Sequence, residues 1–259
     1  MSLAHVNGIK MYYEIHGRGK PLVLVHGGGS TLSTSFGRIL PILAKTHRVI
    51  GVELQAHGHT SDREAPESFE QDADDVAELL RQLNITSASI FGFSNGGNTA
   101  MQIAIRHPEQ VHKLIVASAF YKRDGLYPWF WEMMQHAKLE NMPKIYQDEY
   151  LNITHNQAGL QNMHDKDAQR MQTFKDWKEE DIKSIQAPTL IIIGDHDLVR
   201  PEHAVDMYRL LPNGRLAIFP DSHGSYMGEI MSPNPKSKVP ELFVAMLDEY
   251  LALPMPGVK

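Results

Sequence analysis

The run Gly92-Phe93-Ser94-Asn95-Gly96 places a serine between glycines, where an apolar stretch gives way to a helix-like one. Ser89-Ile90-Phe91 reads as the end of a buried strand and residues 98–104 as a helix, so Ser94 sits at a G-x-S-x-G strand-to-helix turn. A turn that sharp strains the backbone of the serine and leaves almost no room for neighbouring side chains. Glycine on both sides supplies the room. The hydroxyl then projects outward, and the helix N-terminus behind it favours developing negative charge. The chemistry suggested is nucleophilic attack. Serine is weak at that task alone and needs a base, which in turn needs an orienting acid.

Those partners belong on loops at the C-terminal ends of strands, where the serine turn also lies. Gly194-Asp195-His196-Asp197-Leu198-Val199-Arg200-Pro201 follows the apolar run 189–193 and offers Asp195 and Asp197. Pro220-Asp221-Ser222-His223-Gly224 follows 216–219 and offers His223. With 14 histidines in the chain, position rather than residue type singles out His223. The tetrahedral intermediate of such a reaction needs preorganised donors, and the backbone N–H of Asn95, next after the serine, is one. The pair His57-x-His59 suggests a metal, but no carboxylate or third histidine stands at ligand spacing, and no metal site is assigned.

The elements that must position these residues are legible as patterns. Asn7-Gly8 between two short runs signals a hairpin. The apolar runs at 21–25 and 48–52 suit strands buried on both faces, and 88–91, 113–117, 189–193 and 216–219 are further strand-like runs. Ser68 is set to cap a helix, with Gln71 as its capping-box partner. Val76, Leu79, Leu80 and Leu83 form that helix's apolar face, with acids along the other. Residues 239–251 read as a closing helix. Strands alternating with helices predict an α/β chain with a mostly parallel, doubly wound sheet and an antiparallel edge from the hairpin. The alternation breaks over 120–186, a helical stretch holding Trp129, Trp131, Trp177 and five methionines. The expected organisation is a core of 1–119 and 187–259 with a helical cap of 120–186 inserted into it.

Composition narrows the function classes. A net charge of −6, with no basic run, argues against a nucleic-acid partner. Zero cysteines exclude disulfides and thiolate chemistry. No apolar stretch is long enough to span a bilayer, and the first five residues carry no signal-peptide pattern, so a cytoplasmic protein free of membrane is expected.

Taken in order, these motifs resemble the α/β-hydrolase superfamily over nearly the whole chain. They are His26-Gly27-Gly28-Gly29 after the third strand, Glu53 to Thr60 after the fourth, the Ser94 turn, Gly194-x-x-Asp197-x-x-x-Pro201 and Ser222-His223-Gly224. The resemblance implies Ser94 as nucleophile, Asp197 rather than Asp195 as acid, His223 as base, and Gly28 with Asn95 as oxyanion donors. It implies a serine hydrolase of a small ester or related carbonyl compound, with no cofactor, acting through an acyl-enzyme. The aromatic, Met-rich insertion suggests an apolar or aromatic substrate group. Carbon–carbon bond or lactone hydrolysis on the same triad is the alternative, and a non-catalytic ligand-binding protein the runner-up of another class. The chain departs from the family pattern at Glu53, where aspartate is usual, at Ala56, where glycine often stands, and at Ser222, where the family commonly has glycine before the histidine.

Overall fold

The computed structural model describes residues 2–255; residue 1 and residues 256–259, inside the outer bounds of the expected core, lie outside the described residues. The strands are β1 (Ser2–Val6), β2 (Ile9–His16), β3 (Lys20–Val25), β4 (His47–Val52), β5 (Ala88–Phe93), β6 (Val111–Ala117), β7 (Thr189–His196) and β8 (Gly214–Ser222). They form one eight-stranded sheet in the order β1-β2-β4-β3-β5-β6-β7-β8. β1 and β2 pair antiparallel through the Asn7-Gly8 turn, where both residues take positive φ, and β2 pairs antiparallel with β4. From β4 to β8 every pairing is parallel.

The helices outside 120–186 are α1 (Leu32–Phe36), α2 (Leu40–Leu43), α3 (Phe69–Gln82) and α4 (Asn95–Arg106), and later α9 (Pro201–Leu210) and α10 (Val239–Ala252). Between α4 and α9 come α5 (Pro128–Gln135), α6 (Lys144–Thr154), α7 (Gln157–Gln172) and α8 (Glu179–Lys183). Two apolar layers sandwich the sheet. Val76, Leu79 and Leu80 of α3, Met101 and Ile103 of α4 and Met207 of α9 cover one face. Phe36 of α1, Leu43 of α2, and Phe243 and Leu247 of α10 cover the other. The central parallel strands are mostly apolar because helices lie on both sides of them, whereas β8 is the edge strand and only half-buried, with Ile218 exposed.

Two expectations for α3 need correction. Ser68 does accept from the Gln71 N–H, at 3.1 Å, but the Gln71 side chain donates to Asp75 Oδ1 at 2.9 Å instead of closing the box. Nor are the acids all on a solvated face. Asp72 and Asp75 are buried, because arginines reach them from elsewhere in the chain: Arg170 Nη1 lies 2.8 Å from Asp72, and Arg63 Nη2 lies 2.5 Å from Asp75. Pairing of this kind is what makes buried carboxylates tolerable.

Strand order dictates where a site can form. β3 is flanked by β4 on one side and β5 on the other, so the loops after β3 and β5 leave the same edge of the sheet as neighbours. A crevice opens outside the carboxyl ends of strands where the order of connection reverses. The glycine turn after β3 and the Ser94 turn after β5 both lie there.

Candidate active site

The turn at Ser94 is built by absences. Ser94 has φ 53° and ψ −125° and precedes α4 directly. A Cβ on Gly92 would fall 2.0 Å from the Gly96 carbonyl oxygen, and one on Gly96 would fall 2.2 Å from that of Val25. Backbone bonds lock the turn: Ser94 N–H donates to Ala117 at 2.8 Å, and Gly97 N–H to Ser94 at 2.7 Å. Strain at Ser94 is thus carried by β3, β5 and β6 together.

His223, after β8, reaches across to this serine. Its Nε2 lies 3.1 Å from Ser94 Oγ, and its Nδ1 lies 2.6 Å from Asp197 Oδ1. Asp197 is buried on the loop after β7, whereas Asp195, at the end of β7 itself, is exposed, which places the two aspartates in different environments. The Asp197 carboxylate is richly solvated by protein. Val199 N–H donates to Oδ1, and Gly194 N–H and Ser118 Oγ donate to Oδ2, the last at 2.5 Å. Burial works to raise its pKa, but the His223 charge and these hydrogen bonds outweigh burial and lower it. Ser118 in turn shares a 2.7 Å bond with Tyr226, whose hydroxyl is buried and pushed well up by desolvation. Sequence reasoning missed Ser118 and Tyr226. The signal available for Ser118 was its place at the end of β6, beside the serine turn.

The glycine turn is the other wall. A Cβ on Gly27 would lie 3.2 Å from Ser94 Cβ, and one on Gly28 only 2.3 Å from Asn95 Nδ2, so the turn presses on both residues of the elbow. Asn95 opens α4, where backbone N–H groups have no partner within the helix. His26 is structural: its Nε2 accepts from Leu54 N–H at 2.9 Å and its Nδ1 bonds the Gly27 carbonyl.

The histidines of His57-x-His59 diverge. His59 Nδ1 bonds Glu53 at 2.9 Å, and His57 Nε2 bonds Asp167 at 3.0 Å. Glu53 also accepts the His59 N–H at 2.7 Å, so the departure from aspartate closes the loop after β4 on itself. Ala56 sits at φ 63°, the left-handed region that favours glycine, and carries strain there of about 1–2 kcal/mol.

Asp167, on α7, was not foreseen from sequence. Its Oδ2 accepts from Gly29 N–H and His57, and its Oδ1 from Arg170 and, at 3.5 Å, from Asn95 Nδ2. Arg170 goes on to Asp72 and lies 3.5 Å from Glu67. Burial raises the Asp167 pKa, but the charges of Arg170 and His57 prevail and hold it well below the usual carboxylate range. Burial likewise opposes the His57 cation, yet Asp167 wins and lifts His57 to about 9. Glu67, whose oxygens make no hydrogen bond, is pushed up to about 8 by burial.

Both raised groups hold protons in the folded state that they release when unfolded. Their stabilisation is full below the unfolded pKa, near 6.5 for His57 and 4.5 for Glu67, and is lost as pH rises through about 9 and about 8. Stability is therefore expected to fall between pH 7 and 9 by about 2 kcal/mol per pH unit. Urea melts across that range check it, and His57→Gln should flatten the slope.

The aromatic residues of the inserted segment pack chiefly on one another. Trp131 and Phe174 stack, Phe120 meets both edge-on, and Trp177 lies at their side. Trp129 and Met133 are exposed. What reaches the glycine turn is Met142, whose Cε lies 2.9 Å from where a Gly29 Cβ would be, together with Asp167. Tyr146 of α6 donates to Glu229 at 2.6 Å, tying the segment to the loop after His223. No helix among the described residues is long and apolar enough to cross a membrane.

Several known hydrolases are similar to this chain. A family model described as alpha/beta hydrolase fold matches residues 20–142. The human serine hydrolase BPHL is 27% identical over 234 residues, 83% of this chain and 77% of that protein. A meta-cleavage product hydrolase of Pseudomonas fluorescens IP01 superimposes with a TM-score of 0.79 at 22% identity, covering 96% of this chain and 98% of that one. An enol-lactonase of Burkholderia xenovorans LB400 gives 0.75 at 20% identity, covering 97% and 100%. With the sheet order, the loop positions and the matched residues in agreement, the chain has the alpha/beta-hydrolase fold.

Proposed function

We propose that the protein is a serine hydrolase of a small ester or related carbonyl compound, with Ser94 as nucleophile, His223 as base and Asp197 as orienting acid. The observation that carries this reading is the unbroken hydrogen-bond chain from Ser94 Oγ through both ring nitrogens of His223 to Asp197. His223 takes the serine proton as Ser94 Oγ bonds the carbonyl carbon. The N–H groups of Gly28 and Asn95 receive the oxyanion, and collapse expels the alcohol with a proton from His223. Water then attacks the acyl-enzyme, His223 again serving as base, and the acid leaves. Asp197 holds the imidazole in the right tautomer and stabilises its cation throughout, which its buried, ionised state suits. Every proton and electron pair is handled by these side chains and water, so the cycle calls on no cofactor. Residues 120–186 act as the cap over this cleft, with Asp167 and Tyr146 as its fastenings. The substrate is a soluble small molecule.

The test is labelling with a fluorophosphonate, followed by a substrate panel of short esters, lactones and vinylogous 1,5-diketones. Labelling of Ser94 with turnover confined to esters supports the reading; preference for lactones or diketones assigns the same triad to the alternative chemistry. A folded chain that is neither labelled nor active overturns the hydrolytic mechanism in favour of a ligand-binding protein.

A further inference from the structure

We infer that Asp167 is a positioning residue that completes the oxyanion site, so that the donor pair is assembled only when cap helix α7 is docked. This rests on the reading of Gly28 and Asn95 as the oxyanion donors.

One carboxylate holds the residue beside one donor and the side chain of the residue that carries the other. Gly29, which gives its N–H to Asp167, is the neighbour of Gly28; Asn95, whose side chain reaches the other carboxylate oxygen, carries the second donor. The contact crosses 138 residues of chain and joins the insertion to the core at its chemically most sensitive turn. Gly29 takes φ 62° and has no side chain to brace the turn, and the other acceptor near its N–H, His57 Nε2 at 3.2 Å, is itself engaged with Asp167. Asp167 is itself held from two sides. Arg170, one turn further along α7, is anchored on Asp72 of α3, and His57 approaches from the loop after β4. An ionised acceptor suits the task, since it binds an N–H about twice as strongly as a neutral one. Arg170 and His57 flank the charge and offset its repulsion of a nearby oxyanion.

A positioning role separates from a binding or purely structural one by where the loss falls. Misplacing a donor by about 1 Å costs on the order of 100-fold in the chemical step while leaving ground-state binding intact. Native enzyme, Asp167→Ala and Asp167→Asn are compared on the best ester of the panel and on inhibition by phenylboronic acid, which forms a tetrahedral adduct on serine. Asp167→Ala is expected to lose about 10- to 100-fold in kcat, with boronate affinity falling in step and KM within about 3-fold. Asp167→Asn retains a weaker acceptor for Gly29 and should stand about 3- to 10-fold below native.

A folded Asp167→Ala with native kcat and boronate affinity overturns the inference, as does a loss confined to KM. Should Asp167→Ala fail to fold, Asp167→Asn decides: native values for kcat and boronate overturn it, and a matched loss in both supports it. Native protein without Ser94-dependent turnover overturns the hydrolase reading and this inference together. Native turnover with an indifferent Asp167→Ala overturns this inference alone.

Discussion

Ser94→Ala is expected to lower kcat/KM by about 10⁴-fold or more on any ester the native chain hydrolyses, with little change in Tm. On the proposed mechanism the size follows from losing the atom that forms the bond, since what would remain is water attack helped by the oxyanion donors and by binding. Folding should be nearly indifferent, because Ser94 holds its φ of 53° through backbone bonds to Ala117 and Gly97 that alanine also makes. The sharper measurement is the cycle with His223→Ala. Residues acting as one unit are not additive, so Ser94→Ala with His223→Ala should cost little more than either alone. Additive losses would mean that the two side chains act in separate steps, and the 3.1 Å contact between them would lose its mechanistic meaning.

Asp197→Asn should lower kcat about 10³- to 10⁴-fold near neutral pH. The amide is nearly isosteric, but it presents an N–H where the carboxylate presented only acceptors. All the recorded partners of Asp197 other than His223 are donors: Val199 N–H, Gly194 N–H and Ser118 Oγ. One of them must then face a donor, or the amide must turn and hold His223 in the wrong tautomer. Pre-steady-state acylation across pH 6 to 10 checks this; a variant within about 10-fold of native throughout would reassign the acid. Ser118→Ala is gentler, because Asp197 keeps its other donors.

How much was readable beforehand depends on the range over which each signal acts. The Ser94 elbow, the Asn7-Gly8 hairpin and the buried strands are local: glycine spacing and apolar runs determine them within a dozen residues. Asp197 and His223 lie farther off, but each follows a strand with a recognisable loop. Asp167 gave no such signal. In sequence it is one more charge on a polar helix, and only the approach of Gly29, His57 and Arg170 reveals its work. Asp72 was misread for the same reason, since its partner Arg170 stands 98 residues away. The aromatic residues of the insertion were legible as apolar and not as to what they cover. Trp131 and Phe174 turn toward each other, a choice that composition cannot express.

The insertion between β6 and β7 also shapes the order in which the molecule can be made. Pairing Leu114 with Thr189 closes a loop of about 70 residues, at an entropic cost of about 4 kcal/mol by ideal-chain scaling. Strands β3 to β6 pair across shorter spans and are the favoured early nucleus, since short-range contacts form first. Ser94 belongs to that early part; Asp197 and His223 arrive only with β7 and β8. During synthesis from the N-terminus the proposed nucleophile is therefore shaped before its proposed base exists, and the nascent chain carries a strained serine without that partner until the last quarter of the protein has docked.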